Sequence, residues 1–180
     1  MRPRSAVPLV LTLCLVAPAS LAGQEAAKPD KKALIQEALS AGVPGITDQA
    51  TVLDWDGNIL REGTNGWSCM PTPPGVTGTS PMCMDAQWMA FAGAWQAKRP
   101  VETTAVGVAY MLTGDAGASN TDPFAEAPTA DNQWIKAGPH LMVIVPDAAD
   151  LESLSTDYES GGPWVMWKGT QYVHLMVPLP

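Results

Sequence analysis

The tetrapeptide His-Leu-Met-Val occurs twice in the chain and contains both of its histidines. Alternate residues of a strand share a face, so His140 lies on the same face as Met142, and His174 on the same face as Met176. Two imidazoles and two thioethers are ligands that suit Cu(I). The repeat therefore predicts a copper site if the two strands are neighbours in a suitable register. Two similar core strands are the alternative.

The same histidines can contact a ligand without any metal. The loop at 113–132 is rich in side-chain oxygens, and a structureless loop of this length is more often functional than decorative. Trp164 and Trp167 are three residues apart, so on a strand they face opposite sides. One of them can then stack on a flat ligand, although core packing on both sides is an alternative. These features predict a sheet-and-loop cleft built from His140, His174, Trp164, Trp167, Asp115, Asn120 and Asp122.

Catalytic signatures are missing from the sequence. It contains no G-x-S-x-G, C-x-x-C or H-E-x-x-H motif and no glycine-rich phosphate loop. A Ser–His–Asp set could use either histidine, but nothing selects the serine. Enzymatic activity is therefore uncertain and the minority interpretation, with a hydrolase or lyase of unrecognised type as the alternative.

The first residues, MRPRSAVPLVLTLCLVAPASLAGQ, have the basic start, apolar stretch and small-x-small end of a signal peptide. We expect a signal peptide at 1–22, a flexible leader at 23–29 and a single domain at 30–180. No second apolar segment is long enough to span a bilayer, so no membrane anchor is expected after cleavage. The net charge of −8 argues against nucleic acid as a partner. The predicted location is the periplasm or the medium.

Two cysteines remain after cleavage, Cys69 and Cys83, and an even count in an exported protein indicates a disulfide. The bond would close the loop MPTPPGVTGTSPM, which has little regular structure to hold it. The alternative is a thiolate pair that binds a metal with help from nearby methionines.

Periodicity predicts the elements that must position these residues. Asp30 and Asp85 are expected to cap helices, the second of which buries an aromatic ridge. The Asp56-Gly57 turn between alternating arms favours a type I′ hairpin. We also expect both His-Leu-Met-Val strands in one sheet, and a final hairpin turning at Lys168-Gly169. The fold class is predicted to be α+β: a single antiparallel sheet of about five or six strands with two or three helices packed on one face.

Five stretches, LDWDGNILREGTNGWSCMP, SPMCMDAQWM, AYMLTGDAGASNTDP, GPHLMVIVPD and GGPWVMWKGTQYVHLMVP, cover most of the expected domain. Over them the chain resembles a family of exported bacterial proteins of uncharacterised function. No activity, cofactor or site follows from that resemblance. The leading hypothesis is an exported domain that binds a small molecule or a protein partner without a cofactor, and the alternative is a periplasmic copper-binding protein.

Overall fold

The computed structural model describes residues 30–180, so the predicted signal peptide and leader lie outside the described residues. Within that range no helix is both long and apolar enough to cross a membrane. The helices are α1 (Lys31–Leu39), α2 (Pro44–Thr47) and α3 (Ala86–Gln96), with 3-10 turns at Ala148–Leu151 and Tyr158–Ser160.

Eight strands form one large sheet in the order β2-β1-β3-β4-β5-β8-β10-β9, and β6 pairs with β7 separately. Only β1 and β3 pair in parallel; the other neighbours in the sheet are antiparallel. The bounds are β1 Thr51–Leu53, β2 Ile59–Arg61, β3 Ser68–Met70, β4 Met82–Met84, β5 Gly107–Met111, β6 Ala118–Ser119, β7 Trp134–Ile135, β8 His140–Ile144, β9 Trp164–Met166 and β10 His174–Pro178.

The predicted mixture of helices and strands is confirmed, but the predicted single antiparallel sheet of five or six strands is wrong. The chain builds a mixed sheet of eight strands because β3 and β4 form beside the disulfide and β1 joins β3 in parallel. These strands are three residues long, too short for a period of two to be recognised.

The two longer helices lie on opposite faces of the sheet, which corrects the prediction that the helices cover one face. Ala38 of α1 packs against Val52, Cys69 and Cys83 in one cluster of buried residues. Trp88 and Phe91 of α3 belong to a second cluster with the buried methionines of β3, β4, β5, β8, β9 and β10. Alternation along β4 explains this division, because Cys83 and its neighbours Met82 and Met84 point to opposite faces.

The disulfide between Cys69 and Cys83 is present, as predicted. The two cysteines are directly opposite each other on β3 and β4, and neither is exposed to solvent. The bond therefore closes the loop between these strands at its base and holds them under α1.

The hairpin at 51–61 forms, but its turn is not type I′. Gly57 has φ of +82°, whereas Asp56 is not among the residues with positive φ, which a type I′ turn would require. The side chain of Asp54 accepts bonds from the backbone N–H groups of Asp56 and Asn58 instead. The Asp54 carboxylate thus stabilises a loop that is longer than a two-residue turn. The pairing of β1 with β2 shifts register between Val52 and Leu53.

Asp85 connects α3 to the sheet with both carboxylate oxygens. Oδ1 accepts the backbone N–H of Trp88 at 2.8 Å, which caps the helix as predicted, and Oδ2 accepts that of Val108 on β5 at 2.7 Å. We expect Asp85→Ala to lower the free energy of unfolding by about 2 kcal/mol, because one cap and one charged hydrogen bond are lost together. Urea titration measures this loss. Asp85→Asn keeps one oxygen and should lose less; a change below about 0.5 kcal/mol in Asp85→Ala would contradict the assignment.

The two His-Leu-Met-Val segments are adjacent antiparallel strands, β8 and β10, which confirms that they share one sheet. Their His and Met side chains face α3 and are buried, while the Leu and Val side chains are half-buried on the other face. The final hairpin pairs β9 with β10, although its connection extends over 167–173 and is longer than a two-residue turn.

Candidate functional site

A cavity of about 460 Å³ lies between α3, the sheet and two loops. Its walls are mainly apolar and carry an unusual number of thioethers. The methionines in the walls are Met82, Met84, Met111, Met142, Met166 and Met176.

Strand register explains how the methionines come together. Met84 lies opposite Ala109, Ala109 opposite Met142, and Met142 opposite Met176, so one row crosses four adjacent strands. Ala109 interrupts the row, whereas the three methionines line the cavity. The sheet therefore presents methionines from several strands toward the cavity.

Three tryptophans hold the loops that form the rim. The indole N–H of Trp55 donates to Pro71 O at 2.8 Å, and that of Trp95 donates to Pro123 O at 2.9 Å. Trp167 donates to Ser119 O at 2.7 Å. All three indoles contribute to the cavity wall. Each of these loops is thus bonded to an indole of the cavity wall, and the 113–132 loop forms part of the rim.

Trp164 and Trp167 both belong to the cluster under α3, so the prediction that they face opposite sides is wrong. The chain leaves β9 after Met166, and Trp167 takes a positive φ of 55°. This turn returns the Trp167 ring to the same side, where it lies 5.2 Å from the ring of Trp95.

His174 is 1% exposed and is surrounded by aromatic rings. Its ring centre lies 5.4 Å from that of Trp88, 6.1 Å from Phe91 and 4.8 Å from Trp167. Nδ1 lies 3.0 Å from Tyr172 O, so it carries the proton, and Nε2 is buried without a partner. Burial lowers the pKa of His174 to about 4, so the ring is neutral above that pH.

His140 has the same local arrangement, with Nδ1 at 2.7 Å from Gly138 O and Nε2 buried without a partner. It interacts electrostatically with Asp115, which lies in the cavity wall. Burial raises the pKa of Asp115, against the opposing effects of the His140 charge and of the N–H groups of Ala137 and Gly117. Asp115 is thus a carboxyl group whose ionisation is disfavoured at the edge of an apolar cavity.

The two histidines do not meet at one point. Met142 pairs with Met176, and the histidines lie two residues from this pair toward opposite ends of the antiparallel strands. Four residues correspond to about 13 Å along a strand, whereas two nitrogens on one ion are within about 4 Å of each other. The predicted copper set of His140, Met142, His174 and Met176 therefore does not surround a single ion.

The structure brings together only part of the predicted cleft. His174, Trp167, Asp115 and Asp122 contribute to the cavity wall. Three other predicted residues lie outside it. His140 and Trp164 are buried but do not line the cavity, and the Asn120 amide donates to Gln133 Oε1 and Thr156 O.

No pairing of a serine with a histidine occurs among residues 30–180. Each histidine bonds only a backbone carbonyl through Nδ1 and has no partner at Nε2. The buried Ser119 hydroxyl donates to Asn132 O. The described residues also contain no group of three or more His, Cys, Asp or Glu side chains placed to hold a metal ion.

No protein-family model matches the chain, and neither does any curated protein or solved structure. The functional argument therefore rests on the geometry of the cavity.

Sequence reasoning missed most of the cavity wall. The missed residues come from the hairpin, the cystine loop and α3 as well as from the sheet. The one available signal was compositional, because the chain contains nine methionines. The missed wall residues include Trp55, Val76, Met82, Met84, Ala92, Trp95, Met111 and Met166.

Proposed function

We propose that the protein is an exported binding protein that takes one small, mainly apolar molecule into the methionine-walled cavity. The observation that carries this proposal is the cavity itself, whose volume of about 460 Å³ is within the range of small-molecule sites. Its lining is mainly apolar with a few polar side chains, which is also the character of small-molecule sites.

The wall chemistry supports an apolar ligand. Methionine side chains are flexible and polarisable, so six of them can adjust to the shape of a bound molecule. The ring faces of Trp55, Trp95 and Trp167 add flat surfaces for contact with a planar group.

Polar groups are concentrated on the 113–132 side of the cavity, where Asp115, Ser119 and Asp122 lie. The chain's net charge of −8 disfavours an anionic ligand. A neutral or cationic molecule with one polar end therefore fits the site best.

Export is part of the proposal. It is supported by the signal-peptide pattern at 1–22 and by the disulfide, which is typical of oxidising compartments. These two features, together with the resemblance to exported bacterial proteins, support a periplasmic or secreted location.

Filling the cavity tests the proposal. Ala92 of α3 contributes to the cavity wall, whereas Ala90 on the same helix is exposed. We expect Ala92→Leu to weaken binding of the neutral fluorophore N-phenyl-1-naphthylamine by at least about tenfold. The leucine side chain occupies space that the ligand needs, and a tenfold loss of affinity corresponds to about 1.4 kcal/mol of binding free energy. Ala90→Leu should bind as the parent protein does. Fluorescence titration measures both affinities.

Thermal unfolding of both variants is the control for folding. If the parent protein does not bind the fluorophore, or if the two leucine variants bind it equally well, the cavity is not the ligand site.

A further inference from the structure

We propose that the His174 corner of the cavity binds a single Cu(I) ion through Nε2 of His174 and the thioethers of Met142, Met166 and Met176. This site goes beyond the proposed binding of an apolar molecule, because the ion would occupy only one corner of the cavity.

Strand register places the three methionines around His174. Met166 lies directly opposite His174 on β9, so their Cβ atoms are about 5 Å apart. Met176 is two residues along the same strand, at about 7 Å. Met142 pairs with Met176 and is therefore the diagonal neighbour of His174, at about 7–8 Å. All four side chains contribute to the wall of the same cavity.

The imidazole is prepared to be a ligand. Nδ1–H donates to Tyr172 O, so the lone pair is on Nε2, which is buried and has no partner. Ligating histidines commonly donate their other N–H to a backbone carbonyl in this way, which fixes the orientation of the ring.

The ligand types select the metal. Thioethers are soft ligands that favour Cu(I), whereas Ca²⁺ and Mg²⁺ require oxygen ligands. Structural Zn²⁺ sites use Cys, His and carboxylate side chains, and no group of three or more His, Cys, Asp or Glu side chains is placed for a metal within residues 30–180. The rings of Trp88, Phe91 and Trp167 surround the His174 ring, which is 1% exposed.

His140 is not part of this site. Its ring has the same Nδ1–carbonyl bond, but it lies outside the cavity wall and at the other end of the Met142–Met176 pair. The second His-Leu-Met-Val segment therefore contributes His174 and Met176, and the first contributes Met142 alone.

Competition for Cu(I) tests the site. The full chain, purified without a polyhistidine tag, is titrated anaerobically with Cu(I) against the chromophoric chelator bicinchoninate. We expect one equivalent of Cu(I) to bind. Met166→Leu and Met176→Leu should each weaken binding at least about tenfold, since leucine keeps the side-chain volume but removes the sulfur. Met82→Leu, in the same cavity wall but two strands beyond Met142, is the matched control and should leave the affinity unchanged.

Two results would overturn the copper site: the absence of Cu(I) binding by the parent protein, or equal losses in the Met166 and Met82 variants. Binding of N-phenyl-1-naphthylamine is measured on the same samples. If the fluorophore binds and Cu(I) does not, the copper site is wrong and the apolar cavity stands. If Cu(I) binds as expected and the fluorophore does not, the copper site stands and the proposed binding of an apolar molecule is wrong.

Discussion

Acidification from pH 6.5 to pH 4 should remove about 3 kcal/mol of stability through His174 alone. The ordinary pKa of a histidine side chain, which applies to the unfolded chain, is 6.5. In the folded protein burial lowers the pKa of His174 to about 4. Each unit of difference is worth about 1.4 kcal/mol. The unfolded chain binds the proton more readily, so the His174 contribution is complete above pH 6.5 and is lost as the pH falls toward 4.

The comparison that isolates this effect is the parent protein against His174→Gln. The free energy of unfolding of both is measured by urea titration at steps between pH 7 and pH 4, and the parent should lose about 3 kcal/mol more than the variant. The difference removes the contribution of Asp115, whose raised pKa acts in the opposite direction. An NMR titration in which the His174 ring protonates near pH 6.5 would contradict the prediction. It would also contradict the burial of the ring, which is the physical reason for the low pKa.

Loss of the disulfide should cost about 3 kcal/mol, because the bond closes a loop with a sequence separation of 14 residues. The double variant Cys69→Ala/Cys83→Ala and the chemically reduced parent should both unfold at lower urea concentration. The same loop supplies Pro73, Val76 and Ser80 to the cavity wall. Binding of the apolar fluorophore should therefore weaken when the bond is removed.

The control is the double variant treated with the same reductant. Because it has no disulfide to lose, its unfolding in urea should not change. A difference of less than about 1 kcal/mol between the oxidised and reduced parent would show that the strands hold the loop without the bond.

The parts of the fold that could be predicted from the sequence depend on local signals. Asp85 caps α3, whose buried Trp88 and Phe91 follow the expected helical spacing. The cysteine count indicated the disulfide, and the repeated tetrapeptide indicated two strands of one sheet. Each of these signals can be recognised from residue type and spacing alone, and the structure confirms them.

The parts that could not be predicted depend on contacts between distant segments. The parallel pairing of β1 with β3 has no local signature, and three-residue strands show too little alternation. The expectation that Trp164 and Trp167 face opposite sides fails because Trp167 lies beyond the end of β9, where it has a positive φ and its indole N–H donates to Ser119 O. The cavity itself is a space between elements, and no single segment of the sequence specifies it.

The most direct measurement is a methyl NMR titration of protein labelled with ¹³C at the methionine methyl groups. On addition of N-phenyl-1-naphthylamine, the signals of the methionines in the cavity wall should shift, whereas Met70 and Met89, which lie outside it, should not. Uniform shifts, or shifts confined to Met70 and Met89, would contradict the claim that this cavity is the binding site. The signals expected to move are those of Met82, Met84, Met111, Met142, Met166 and Met176.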